Sequence, residues 1–121
     1  MSAARATVEQ FARRHAAGDL AGCAALLTPG AVMRSTLGDA TAEGRNAVER
    51  LLGAGLAGWT ERHETVKSVL ADEVAGGIES IVEGTTAAGR AIAVAAVTVL
   101  ALEGGSIASI RVYADTTPIS A

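Results

Sequence analysis

Two carboxylates in the second half of the chain, Glu83 and Asp115, have a spacing suited to proton-transfer chemistry. Ala88-Gly89 and Gly104-Gly105 each read as a two-residue hairpin turn between runs of alternating residues. The second turn sets Thr98 opposite Arg111 and Val94 opposite Asp115; the first sets Glu83 opposite Val94 and Glu79 opposite Thr98. Glu83, Val94 and Asp115 then form one row across three strands. The two carboxylates would lie roughly 10 Å apart, with an apolar valine between them that helps to exclude water. A carboxylate in an apolar cavity has its charged form disfavoured, which moves its pKa toward the range useful for general acid–base catalysis. The competing reading makes Asp115 a cap on the turn before Thr116-Thr117-Pro118, and Glu83 a solvated strand residue. A one-residue bulge in either hairpin would break the row, because a slip turns every side chain to the other face.

Other polar residues admit both a chemical and a structural role. Tyr113 has a hydroxyl that could donate to a ligand oxygen, or pack with that hydroxyl at a rim. Arg111 is placed to pair with Glu79 across Thr98 as a structural bridge. His15 falls four residues after Phe11 on an apolar stripe, so it is either a satisfied buried histidine or a pocket base. His63, among Glu61, Arg62 and Glu64, reads as part of a solvated strand face. Trp59 and Met33 read as core. Cys23 reads as buried filler without a nucleophilic role.

These residues need elements to position them. Val8, Phe11, Ala12 and His15 have the spacing of one buried helical stripe, with a start at Thr7 (capping-box spacing to Gln10) or earlier at Ser2. Gly18 is a natural stop, and Asp19 a natural cap for a second helix over 20–27 that ends before Pro29. A short strand fits 31–36, followed by a turn-rich stretch, and a third helix fits 45–57. The period then changes to two, with strands predicted over 60–70, 78–86, 90–102 and 107–115. Three helices before an antiparallel meander make an α+β chain. Both faces of the meander look too apolar for water, so the helices would cover one and a second copy of the chain the other.

Composition narrows the class. The chain has 121 residues, the size of one domain, without linker or repeat. Its apolar half is 27 alanines against 27 valines, isoleucines and leucines, with Phe11, Trp59 and Tyr113 the only aromatics. A net charge of −3 argues against nucleic-acid binding. No charge-free apolar run reaches membrane-spanning length, and the start lacks the apolar segment of a signal peptide. One cysteine and two distant histidines fit a reducing, cytoplasmic setting and form no metal-ligand pattern.

The stretches FARRHAAGDLAGCAALLTPGAVM, EGRNAVERLL and LEGGSIASIRVYAD, in that order, resemble the SnoaL-like branch of the nuclear-transport-factor-2-like superfamily. The resemblance implies three helices packed on a curved antiparallel sheet, also described as cystatin-like, around a conical apolar pocket, usually in a homodimer. Relatives include polyketide cyclases, epoxide hydrolases, ketosteroid isomerases and proteins without known catalysis. The acids of the isomerases fall here at Ser35 and Thr98 and their tyrosine at Phe11, so that mechanism is not expected. The closing strand of the epoxide hydrolases matches Arg111, Tyr113 and Asp115, with Glu83 in place of the second aspartate and Ile81 in place of the arginine. The cyclases' terminal acid aligns with Asp115, and their histidine with Thr98. The resemblance therefore implies cofactor-free acid–base chemistry on a small lipophilic molecule. Asp115, Glu83 and Tyr113 would be catalytic, and Phe11, His15, Met33, Ser35, Trp59, Thr98 and Arg111 would line the substrate site. A non-catalytic binding protein or dimeric scaffold with the same pocket is the alternative.

Overall fold

The computed structural model describes residues 3–120. Helix α1 spans Ala3–Ala16, so it begins before Thr7; Ser2 lies outside the described residues. The Thr7 hydroxyl bonds the carbonyls of Ala3 and Gly105 instead of capping the helix. Val8, Phe11 and Ala12 are buried on one stripe, as the period requires. Gly18, at φ +75°, turns the chain, and Asp19 accepts a hydrogen bond from the Gly22 amide at 2.9 Å to cap helix α2.

Helix α2 covers only Leu20–Ala24, and strand β1 begins at Leu27, earlier than the expected 31–36. Pro29 interrupts the strand rather than delaying it: pairing with the last strand breaks between Leu27 and Val32 and then resumes. The turn-rich stretch forms a 3-10 turn over Leu37–Asp39 and strand β2 over Ala40–Glu43. Helix α3 occupies Arg45–Ala57 as its period indicates. Strands β3 (Trp59–Ala71), β4 (Ala75–Thr86), β5 (Ala91–Glu103) and β6 (Ser106–Ala114) form the meander, and a single turn, α4, closes the chain over Thr117–Ser120.

The sheet order is β2-β1-β6-β5-β4-β3, antiparallel except where β1 lies parallel to β6. The helices cover its concave face. Phe11, Leu27, Val48, Leu52, Ile78, Leu100, Ile107 and Ile110 make the core between the layers. Helix α1 sits directly on β4 at Gly76, where an added Cβ would lie 2.4 Å from a Val8 methyl.

Both hairpin registers differ from the expected ones by one residue. Thr86 accepts from the Gly89 amide and donates to Arg90, so the β4–β5 loop holds three residues rather than two. Val94 therefore faces Val82, and Glu83 faces Ala93. The Gly104-Gly105 turn does form, with both glycines at positive φ, and it sets Glu103 opposite Ser106. A bulge between Ala101 and Leu102 then advances β6 by one, so Thr98 faces Val112, Val99 faces Arg111 and Val97 faces Tyr113. The expected row of Glu83, Val94 and Asp115 does not exist, and neither does the Arg111–Glu79 bridge across Thr98. Glu79 instead accepts from the Ser68 hydroxyl at 3.3 Å.

A candidate acid–base site in an apolar cavity

The concave face and the helices enclose a cavity of about 670 Å³, within the range of small-molecule sites. Its walls are mostly apolar, including Phe11, Met33, Leu51, Trp59, Val94 and Ile110. Six of the seven residues expected at a substrate site line it: Phe11, His15, Met33, Ser35, Trp59 and Thr98. The seventh, Arg111, does not; it lies with Arg34 and Tyr113 along a shallow groove outside.

The three residues expected to be catalytic are also outside. The register shift places Glu83, Tyr113 and Asp115 on the opposite face from Val94 and Thr98, and all three are exposed. Asp115 accepts from the Thr117 amide at 3.0 Å, the turn-capping role. The Thr117 backbone bond, followed by its side-chain bond, holds the Asp115 carboxyl below the ordinary value, opposite to the shift expected of a cavity acid.

The cavity has a different set of ionisable groups. His15 stacks on Phe11 at 5.7 Å between ring centroids, and its Nδ1 lies 2.8 Å from Glu64 Oε1. Glu64 also pairs with Arg62, whose guanidinium reaches the main-chain carbonyls of His15 and Ala16 at 3.3 and 3.4 Å. All three line the cavity, with side-chain exposures of 27% for His15, 13% for Arg62 and 5% for Glu64. Burial is the largest single influence on Glu64 and opposes its ionisation. The His15 hydrogen bond and charge, the Arg62 charge and a Ser80 hydrogen bond together outweigh it, so the carboxyl is held below its ordinary value.

An ionised carboxylate at Nδ1 selects the tautomer with the proton there, donated to Glu64. In that tautomer the 3.4 Å approach of Arg62 to Nδ1 is not a hydrogen bond, and Nε2 is the nitrogen left for a ligand. Such a histidine can take a proton at Nε2, while Glu64 stabilises the imidazolium that results.

Arg62 and Glu64 correct the expectation of a solvated face around His63. His63 and Glu61 are exposed, but the alternation of the strand turns Arg62 and Glu64 inward. Both faces of β3 carry charges, so its pattern alone did not identify the buried one. The available signal was His15: a histidine on a buried stripe needs a polar partner. Cys23 is buried, and desolvation pushes its thiol up to about 12, in keeping with an inert filler. No group of three or more His, Cys, Asp or Glu side chains converges as a metal site among the described residues, and no helix there is long and apolar enough to cross a membrane.

Comparison with known proteins places this geometry. The profile of the SnoaL-like domain matches residues 8–110. A nuclear-transport-factor-2-like protein of unknown function from Burkholderia pseudomallei superimposes with a TM-score of 0.86 at 19% identity, covering 98% of this chain and 95% of that one. A protein named as a candidate SnoaL-like polyketide cyclase from Jannaschia sp. CCS1 gives 0.83 at 15% identity, covering 99% and 93%. A hypothetical protein from Catenulispora acidiphila with a ketosteroid isomerase-like fold, in complex with trimethylamine, gives 0.81 at 18% identity, covering 93% and 88%. At these identities the likeness is one of fold. No curated protein matches the sequence.

Proposed function

The chain belongs to the SnoaL-like domain family, and from that premise we propose that it is an enzyme acting on a small lipophilic molecule by acid–base chemistry at His15. The observation that carries this reading is the His15–Glu64 pair, buried against Arg62 in the wall of a large apolar cavity. Its members include polyketide cyclases, so the family alone does not choose a reaction. The geometry favours a proton transfer that begins and ends within the cavity, as in an isomerisation or an intramolecular ring closure.

In the forward step, His15 Nε2 takes a proton from a carbon or hydroxyl of the bound molecule. Charge then moves onto an oxygen of that molecule, and the positive charge on the imidazole is balanced by Glu64. The His15 hydrogen bond and charge, then the Arg62 charge and a Ser80 hydrogen bond, keep Glu64 ionised. The Ser35 and Thr98 hydroxyls, both lining the cavity, are donors for the oxygen that gains charge. His15 then returns the proton to a different atom. The apolar walls exclude water that would otherwise quench the intermediate.

A general probe tests the base without knowledge of the natural substrate. 5-Nitrobenzisoxazole opens when a base in an apolar site removes its carbon-bound proton. The wild-type protein is expected to accelerate this opening, His15→Gln to reduce the rate about 100-fold or more, and Asp115→Asn to leave it unchanged. A His15→Gln rate equal to wild type would reject the histidine as base. Ligand binding reported by Trp59, with no turnover of any lipophilic enone, diketone or epoxide, would make the protein a carrier.

The convex face of the sheet supports a second copy of the chain as partner. Val97 and Tyr113 are 42% and 50% exposed, beside Ala93, Ala95 and Val99, with the exposed Glu79 opposite Val97 on the next strand. Arg34 and Arg111 face each other in adjacent strands at one end, while Glu83 and Asp115 lie toward the other. A two-fold axis lying in the interface and running across the strands would set the basic end of one copy over the acidic end of the other.

A further inference from the structure

We infer that the molecule bound in the cavity carries an anionic head, a carboxylate, and that Arg90 receives it at the mouth. This rests on reading the cavity as a small-molecule site, and it adds the chemical class of the ligand. Two cations line the cavity. Arg62 is neutralised by Glu64. Arg90, exposed immediately before β5, has no carboxylate partner among the described residues. Its Nη1 donates to the Ile119 carbonyl at 3.3 Å and its Nη2 to the Pro118 carbonyl at 3.1 Å.

Those acceptors are neutral, and both belong to the closing turn α4. The start of that turn is also tied locally, by the Thr117 amide to Asp115 and the Ile119 amide to the Thr116 carbonyl at 3.0 Å. Ile119 itself lines the cavity, so α4 forms part of the mouth. A carboxylate accepts from both Nη atoms of a guanidinium in a planar fork, through bonds shorter and roughly twice as strong as those to a neutral carbonyl. An arriving acid therefore takes over the two donors that hold α4. The exchange seats the head at the rim, frees the turn to move, and leaves the apolar body against the inner walls. His15, stacked on buried Phe11, then faces the body of the ligand rather than its head.

Decanoate and 1-decanol share a chain and differ in the head, and Trp59, the only tryptophan and a cavity residue, reports the binding of either. At neutral pH the wild-type protein is expected to bind decanoate about tenfold tighter than decanol or better, a difference of about 1.4 kcal/mol. Arg90→Gln should erase that preference while decanol binding stays within about twofold, and Arg90→Lys should keep most of it. Equal binding of acid and alcohol by the wild type would overturn the inference and leave the cavity reading standing. Equal losses of both ligands in Arg90→Gln would also overturn it, by making Arg90 a structural tie. If neither molecule binds, the cavity reading fails and the inference fails with it.

Discussion

Glu64 is a carboxylate with 5% of its side chain exposed, held between a histidine and an arginine, and its ionisation is tied to the stability of the protein. Its folded pKa is depressed, so it contributes stability above its ordinary value near 4.5 and loses that contribution as pH falls through the folded value. Urea titrations from neutral pH downward should show wild-type stability declining through this window, and Glu64→Gln should lack that part of the decline. The same variant leaves Arg62 short of a charge partner in a buried setting. It is expected to cost on the order of 3 kcal/mol at neutral pH, read from the urea midpoint. Cys23 offers a separate check on burial. With its thiol pushed up to about 12, it should react with a disulfide reagent at pH near 8 only as fast as the protein unfolds.

Contacts between elements depend on places where a side chain is absent. At Gly76, α1 meets the β4 backbone through Val8, and a Cβ there would come within 2.4 Å of the valine methyl. Gly76→Ala should therefore destabilise the protein by about 2 kcal/mol. Val8→Ala, itself destabilising because Val8 is fully buried, should recover part of that loss in the double variant, as a thermal-melt mutant cycle would show. Gly84 is held more strictly, since its φ is +154° and an added Cβ would lie 2.0 Å from the Glu61 carbonyl oxygen. Rigid backbone cannot give way as the Val8 side chain can, so Gly84→Ala should cost more than Gly76→Ala. Both glycines lie on β4, the strand beside the one that carries Glu64.

At the scale of the molecule, one face of the sheet encloses the cavity and the other is open. The middle of the convex face, around Val97 and Tyr113 and bordered by Glu79, has a basic and an acidic flank. If two copies join there, sedimentation should give twice the 12.1 kDa chain mass. Val97→Glu should give a folded monomer, because a second carboxylate beside Glu79 at the centre of the interface adds like-charge repulsion to the cost of desolvation. A wild-type monomer at all accessible concentrations would reject this interface.

Period and punctuation determined the elements. Val8, Phe11 and Ala12 defined α1, Gly18 and Asp19 its junction with α2, and Gly104-Gly105 the last hairpin, so the α+β order was legible from spacing, whereas the expected wall residues Met33, Ser35, Trp59 and Thr98 came with the family resemblance. Those signals are local, carried within one turn or one strand. Register is not local. One added loop residue before Arg90 and one bulge at Ala101/Leu102 moved Glu83, Tyr113 and Asp115 to the convex face, because the side-chain period of a strand is two. The pairing of His15 with Glu64 joins residues from a helix and a strand 49 positions apart. Nothing in the alternating charges of β3 says which alternate set turns inward; the packing of α1 against that strand decides it.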